Sequence, residues 1–400
     1  MSTAQSFEFF LLLLGAVAVV LRLATRRLRF LPYPVLLCGA GILVGGVADS
    51  LGARLPTVGP DLILIAFVPG LVFEAALALD LPELRRRLLP VSLLASVGVL
   101  LTVLGIGALA HYGLGLSWSG GMLLGAILAA TDPIAVVSLL RQLRAPAGLS
   151  AILEGESLFN DGTGVAVFAA VLGTLLAGTP SVADAGVRFV YITLAGAAIG
   201  IAGGVLGVTA VRRLTEAQLE ILITLVTAYA SYLAADLVHA SGIVAVVSAG
   251  IVVARYSHRS GRLKGTQLLG FWSLLAFVLN AILFLLVGVA LPLRELIPVA
   301  GTVLLAYLIM FAARALPVYG LLGLADPGGT RIPWRWRHMT FWGGLRGALS
   351  VALALSVVGL PRVEPEVSSV AYGVVVLSLL FQGGFIVPVA QVLRVHRQRT

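Results

Sequence analysis

Residues 121–140 read GMLLGAILAATDPIAVVSLL, an apolar stretch that Thr131, Asp132 and Pro133 interrupt near its middle. About 20 apolar residues are enough for a helix to cross a ~30 Å hydrocarbon core. Pro133 lacks a backbone N–H and its ring clashes with the carbonyl four residues earlier, so we expect the helix to break beside Asp132. A broken helix at membrane depth is tolerated only where it is buried or lines a cavity. The stretch therefore predicts a membrane protein with a polar site inside it.

Composition supports the same fold class over the whole chain. Of 400 residues, 59% are hydrophobic and 11% charged, and the mean hydropathy is +1.05, which leaves too little polar surface for a water-soluble globule of this size. We predict an all-α polytopic membrane protein in which residues 1–400 form one transmembrane domain. The predicted spans are 7–24, 32–49, 60–79, 91–111, 119–140, 151–178, 187–210, 217–238, 241–257, 268–291, 297–323, 338–360 and 367–392.

The basic residues predict how these thirteen helices are oriented. After odd-numbered helices lie 21 of the 27 lysines and arginines, whereas even-numbered connections hold only Arg54, Arg188, Arg294 and Arg362. Because cytoplasmic loops are enriched in basic residues, the N-terminus is predicted outside and the C-terminus in the cytoplasm of the inner membrane. The charge of +9 is thus a topology signal, and nucleic acid is not expected as a partner.

The helix count also suggests internal symmetry. Thirteen divides into six, one and six, and the second six would begin on the opposite side of the membrane from the first. Inverted repeats of this kind are typical of secondary transporters. The fifth helix of the second six contains the glycine-rich segment 343–348, GGLRGA, at the place that matches the Asp132–Pro133 break in the first six. Interruptions at matching places in two halves indicate a transport site.

Six charged residues lie inside predicted apolar helices. Each costs at least ~2.5 kcal/mol at the bilayer centre, so a functional role is the default interpretation. The alternative is that they form buried ion pairs that only fix helix packing. These residues are Glu74, Asp132, Glu156, Asp161, Arg314 and Arg346.

The sixth predicted helix brings polar groups to one depth. Residues 154–162 read EGESLFNDG. Ser157 and Asp161 are four residues apart and share a face, as do Glu156 and Asn160. Asp161 lies about ten residues into the helix, ~15 Å at 1.5 Å per residue, near the middle of the membrane. A carboxylate from this helix would therefore meet Asp132 of the preceding one.

Five motifs in this order resemble a known family. They are FEA at 73–75, ATDP at 130–133, GESLFNDG at 155–162, HASGI at 239–243 and GGLRGA at 343–348. Together they resemble the monovalent cation:proton antiporters of the first cation-proton-antiporter branch, the sodium/proton exchangers. The resemblance implies a homodimer with a mobile core at about 91–178 and 297–392, a scaffold at about 7–79 and 187–291, and crossed broken helices five and twelve.

The resemblance also implies a site for a monovalent cation. Its members would be Asp161, Asp132, Glu156, Ser157, Thr131 and Asn160. Asn160 stands where electrogenic relatives carry a second aspartate, which implies one-for-one, electroneutral exchange.

Two arginines and two glutamates remain once the aspartates are assigned to the ion. This suggests two buried pairs, and the resemblance implies Glu156 with Arg314 and Glu74 with Arg346.

The predicted activity is antiport of sodium or lithium against protons, with one carboxylate site holding either ligand. No cofactor is expected besides the transported ions, and the chain is not expected to be an enzyme. A potassium/proton antiporter is the nearest alternative, because cavity size and ligand number, which the sequence does not fix, decide selectivity. A non-transport membrane protein with structural ion pairs is the remote one. An intramembrane aspartyl enzyme is disfavoured because no protease motif accompanies the two aspartates.

Overall fold

The computed structural model describes residues 15–23, 31–51, 59–132, 134–178, 182–213, 216–260, 266–291, 296–326 and 332–395. Several features predicted from sequence lie outside these ranges. They are the first part of helix 7–24, Pro133, and the loop residues Arg26, Arg27, Arg29, Arg54, Arg262, Lys264, Arg294, Arg331, Arg397 and Arg399. The side chains of Arg141 and Arg259 are likewise not described.

Within the described ranges the regular elements are helices, which confirms the all-α membrane class. In chain order they are α1 (15–23), α2 (Tyr33–Ser50), α3 (Leu62–Ala78), α4 (Leu81–Arg86), α5 (Leu88–Leu114), α6 (Trp118–Ile127), α7 (Ile134–Gln142), α8 (Ala147–Ala177), α9 (Val182–Val211), α10 (Ala217–Leu237), α11 (Gly242–Ser260), α12 (Thr266–Val289), α13 (Ala300–Ala325), α14 (Trp334–Trp342), α15 (Ala348–Ser356) and α16 (Pro365–Val392).

Eight of these helices are long and apolar enough to cross a membrane: α2, α5, α8, α9, α10, α12, α13 and α16. Three shorter apolar helices, α3, α6 and α11, pack among them. The predicted spans 119–140 and 338–360 each consist of two short helices with non-helical chain between them, α6 with α7 and α14 with α15. Both interruptions therefore occur where the sequence carries its aspartate and its glycine-rich segment.

Two groups of helices surround these interruptions. α2 packs on α12, α9 on α10 and α11, and α11 on α3, whereas α5 packs on α6 and α13, and α16 on α13 and α15. α8 contacts both groups, through α6 on one side and through α9 and α11 on the other. In the first group the backbones are very close, since a Cβ on Gly200 of α9 would collide with the carbonyl oxygen of Ala245 of α11. Small residues permit this approach between membrane helices.

Candidate cation site

A cavity of about 1050 Å³ lies between the two groups of helices. Its wall contains four carboxylates, from α3, from the α6–α7 break and from α8, and one arginine of α1. These charged residues are Glu74, Asp132, Glu154, Asp161 and Arg22. The described lining residues of the cavity thus include four acids and one base.

The break between α6 and α7 is held by α8. The Thr131 N–H donates to Asn160 Oδ1 over 3.3 Å, and Asn160 Nδ2 donates to Thr131 Oγ1 over 2.7 Å. Ser157 Oγ donates to the Thr131 carbonyl oxygen. Thus both main-chain groups of Thr131 and its hydroxyl have partners on α8, which fixes the position of the neighbouring Asp132.

The break between α14 and α15 contacts the first one. The Asp132 N–H donates to the Leu345 carbonyl oxygen over 2.7 Å. Gly347 approaches Asp132 so closely that a Cβ at this position would overlap the Asp132 carboxylate. Asp132 is therefore held between the two interrupted helices, and the segment that faces it requires glycine at position 347.

Arg346 lies against the non-helical chain just after α6, which ends at Ile127. Its Nη1 donates to the carbonyl oxygens of Ala129 and Ala130 over 2.8 and 3.1 Å, and its side chain is fully buried. Its Nε lies 3.1 Å from the sulfur of Met310, and Nη2 has no hydrogen-bond partner among the described residues. The carbonyl end of a helix carries partial negative charge, which a nearby cation stabilises. Arg346 thus supplies donors to two main-chain carbonyls beyond the last turn of α6.

Protein donors reach the carbonyl oxygens that precede Asp132. Arg346 donates to those of Ala129 and Ala130, and Ser157 donates to that of Thr131. An unpaired carbonyl in a medium without water costs several kcal/mol. These donors therefore stabilise the non-helical chain between α6 and α7.

Glu156 and Arg314 form a buried ion pair beside the second break. Arg314 Nη2 lies 2.9 Å from Glu156 Oε1, and the two side chains are 5% and 4% exposed. Arg314 also donates to the carbonyl oxygens of Thr340 and Phe341, at the end of α14, over 3.1 and 3.4 Å. Each interrupted helix thus ends on an arginine: α6 on Arg346, α14 on Arg314.

The predicted partnership of Glu74 and Arg346 differs from the structure. Glu74 lies in the wall of the large cavity, whereas the contacts of Arg346 are the two carbonyl oxygens and Met310. The pairing that the resemblance implied for Arg346 is not formed, because backbone carbonyls are also acceptors for arginine. The structure brings Glu156 and Arg314 together but not Glu74 and Arg346.

The residues predicted to bind the cation divide into two sets. Thr131, Asp132, Ser157 and Asp161 line the cavity. Glu156 and Asn160 are buried outside its wall, where they hold Arg314 and Thr131.

Sequence reasoning missed several polar residues that support the breaks. Ser350 Oγ donates to the Ile127 carbonyl oxygen, and Ser378 Oγ accepts from the Arg346 N–H. Gln382 Nε2 donates to the Trp342 carbonyl oxygen, at the C-terminal end of α14. All three side chains are fully buried. In the sequence each of them is a single polar residue in an apolar segment, a pattern that predicts a role less strongly than a motif of several residues.

The helices and the cavity define a multi-pass membrane protein with an acidic internal cavity. Comparison with known proteins identifies its family. Residues 12–392 match the family model described as sodium/hydrogen exchanger, transmembrane. The chain belongs to this family of transporters.

Named relatives cover nearly the whole chain. It is 36% identical over 387 residues to the Na⁺/H⁺ antiporter ApNhaP of Aphanothece halophytica, covering 95% of this chain and 73% of the relative. It is 33% identical over 395 residues to the Na⁺/H⁺ antiporter NhaP of Pseudomonas aeruginosa, covering 94% and 89%. The fold is that of the sodium proton antiporter MjNhaP1 from Methanocaldococcus jannaschii at pH 8, with a TM-score of 0.78, 19% identity, and 99% and 98% of the two chains covered.

Proposed function

We propose that this chain exchanges sodium for protons across the cell membrane, one for one, through Asp161 and Asp132. The observation that carries the proposal is that these two carboxylates, from α8 and from the α6–α7 break, line one cavity. It agrees with the activity of the relatives ApNhaP and NhaP, which are Na⁺/H⁺ antiporters. A cation and a proton compete for the same carboxylates, so loading one ligand displaces the other.

Of the proposed ligands, Asp161 and Asp132 provide charge, and Ser157 and Thr131 provide neutral oxygens at the same wall. Glu156 and Asn160 act indirectly, by fixing Arg314 and the Thr131 backbone. Because Glu156 already carries a buried positive partner at 2.9 Å, exchanging that partner for a mobile ion would leave Arg314 uncompensated. Asn160 brings no charge, which suits one-for-one exchange. We assign no cofactor.

Access alternates, in this proposal, by movement of a core at about 91–178 and 297–392 against a scaffold at about 7–79 and 187–291. The packing of the helices supports this division, since α5 packs on α6 and α13, and α16 packs on α6 and α13, whereas α2, α3 and α9–α12 form another group. α8 lies between the two groups and contacts both. The proposed assembly is a homodimer in which each chain has thirteen spans, with inverted repeats of six. The two arginines at the ends of α6 and α14 support such a repeat, because matching helices end on matching charges.

The proposed orientation puts the N-terminus outside and the C-terminus in the cytoplasm. The wall of the cavity includes Arg22 and Leu31, at the ends of α1 and α2 that this orientation assigns to the cytoplasm. The conformation described here would then admit ions from the cytoplasm as far as Asp161.

Everted vesicles containing the protein test the proposal. Sodium, lithium and potassium are added in turn to vesicles with an acidic lumen, and collapse of the pH gradient is followed by fluorescence dequenching. We expect sodium-dependent dequenching with wild type and none with Asp161→Asn, because the group shared by proton and cation is lost. The matched control is Glu366→Gln, an exposed carboxylate in the first turn of α16, which should behave as wild type.

The outcomes separate the alternatives. Sodium-dependent flux that persists in Asp161→Asn removes Asp161 from the site. A response to potassium but not to sodium or lithium favours the potassium/proton antiporter. The absence of any cation-dependent flux in wild type, with the protein inserted, favours a non-transport role for the buried charges.

A further inference from the structure

Asn280 is a polar residue in the apolar middle of α12, where residues 274–286 read LLAFVLNAILFLL. It lines the same cavity as Asp132 and Asp161. Its Oδ1 is buried and has no hydrogen-bond partner among the described residues. A buried acceptor that lacks a donor is unfavourable, and native proteins rarely retain one without a role.

Asn280 and Asp161 lie equally far along their helices. Asn280 follows the first residue of α12, Thr266, by 14 positions, and Asp161 follows the first residue of α8, Ala147, by the same number. At 1.5 Å per residue both lie about 21 Å from the ends of their helices. In the proposed topology both helices begin at the cytoplasmic side. Asn280 is then a polar group of the scaffold at the level of the ion site.

An amide oxygen suits a small monovalent cation. Cations that enter protein sites exchange hydration water for carbonyl, amide or carboxylate oxygens, and the number and spacing of these oxygens decide which ion is preferred. A neutral oxygen strengthens cation binding without adding a titratable group. It therefore leaves proton binding at Asp132 and Asp161, and hence the stoichiometry, unchanged.

We infer that Asn280 is a cation ligand contributed by the scaffold: its Oδ1 completes the shell of the ion held by Asp161 and Asp132 and helps to select among alkali cations. The inference rests on the proposed exchange at those carboxylates. The cation supplies the positive partner that Oδ1 lacks in the structure. Leucine or valine at this position would leave the ion one oxygen short.

Asn280→Val and Asn280→Thr test this role directly, because the two side chains have nearly the same shape and only threonine carries an oxygen. Ser273→Ala is the control for loss of polarity in the cavity, since Ser273 lies two turns earlier on the same face of α12 and also lines the cavity, and we give it no role in binding. Half-saturating concentrations of sodium, lithium and potassium are measured in vesicles. The proton dependence is measured at saturating cation.

We expect Asn280→Val to raise the half-saturating sodium concentration by about three- to tenfold and to change the ratio of sodium to lithium affinity. Asn280→Thr should recover most of the affinity, while Ser273→Ala and the proton dependence of all variants should remain as in wild type. Equal affinities and ion preferences in the valine and threonine variants overturn the inference.

A second measurement covers variants that insert poorly into vesicles. Sodium raises the melting temperature of a purified protein that binds it in the folded state only. Wild type and Asn280→Thr should be stabilised by sodium in detergent, and Asn280→Val should need a higher concentration for the same rise. The proposed function fails if wild type shows no cation-dependent proton flux. The role of Asn280 fails if wild type transports and the valine variant binds sodium equally well.

Discussion

Substitution of either member of the Glu156–Arg314 ion pair should lower the free energy of unfolding, and the double variant should show how strongly the two buried charges are coupled. The substitutions are Arg314→Met and Glu156→Gln, singly and together. Both side chains are almost fully buried, and the atoms Nη2 and Oε1 are 2.9 Å apart. Arg314 donates to two further acceptors, the carbonyl oxygens of Thr340 and Phe341. For the Glu156 carboxylate, the described partner is Arg314 alone.

This asymmetry sets the expected magnitudes. Arg314→Met leaves a buried carboxylate unpaired, which costs about 3–5 kcal/mol of unfolding free energy. Glu156→Gln replaces a charge-assisted hydrogen bond by a neutral one while Arg314 keeps the carbonyls at the end of α14, so we expect a loss of about 1–2 kcal/mol. In the double variant neither charge is orphaned. Its loss should therefore be below the sum of the singles by about 2 kcal/mol.

Unfolding by SDS in mixed micelles gives these free energies. The control is the pair Glu83 and Arg86, with atoms 3.5 Å apart and the Arg86 side chain 79% exposed, for which a coupling below about 0.5 kcal/mol is expected. Losses that add within about 0.5 kcal/mol at Glu156 and Arg314 would refute the pair as an energetic unit. A larger loss of unfolding free energy for Glu156→Gln than for Arg314→Met would show that the carbonyls at the end of α14 do not stabilise Arg314 when Glu156 is neutralised.

Two further predictions concern the contact between the two broken helices. Arg346→Met should lower the free energy of unfolding by about 2–4 kcal/mol, because the Ala129 and Ala130 carbonyls lose their donor. Combining it with Glu74→Gln should give additive losses in the same SDS titration. Losses that do not add would support a Glu74–Arg346 pair. Gly347→Ala should abolish sodium-dependent flux in vesicles, since the new Cβ overlaps the Asp132 side chain, whereas Gly320→Ala, in α13 with open space around it, should transport as wild type. Wild-type flux in Gly347→Ala would mean that Asp132 tolerates displacement.

The sequence predicted those features that depend on local chemistry. The broken helix at residues 119–140 followed from an aspartate and a proline inside an apolar run, and the shared face of Ser157 and Asp161 followed from their spacing. The different contacts of the polar residues of α8 could not be predicted, because helix periodicity shows which residues share a face but not which neighbouring groups that face contacts. Glu156, one residue before Ser157, meets Arg314 instead of the cavity.

The partner of Arg346 was beyond sequence reasoning for a more general reason. Counting charges assumes that a buried cation needs a carboxylate, but the end of an interrupted helix offers carbonyl oxygens and a partial negative charge that appear in no residue count. The same limit hid Ser350 and Gln382, which satisfy main-chain groups at the two breaks. Main-chain acceptors become visible only when the path of the chain is known.

The two buried arginines and the two aspartates occupy different surroundings. Arg314 pairs with Glu156 and Arg346 donates to the carbonyl oxygens of Ala129 and Ala130, so both guanidinium groups have acceptors away from the cavity wall. Asp132 and Asp161 line the cavity instead. A buried charge without a compensating group is costly in the membrane. If the proposed exchange takes place at the two aspartates, the arginines keep their acceptors whichever ion is bound, and the ions meet the carboxylates without competing for these arginines.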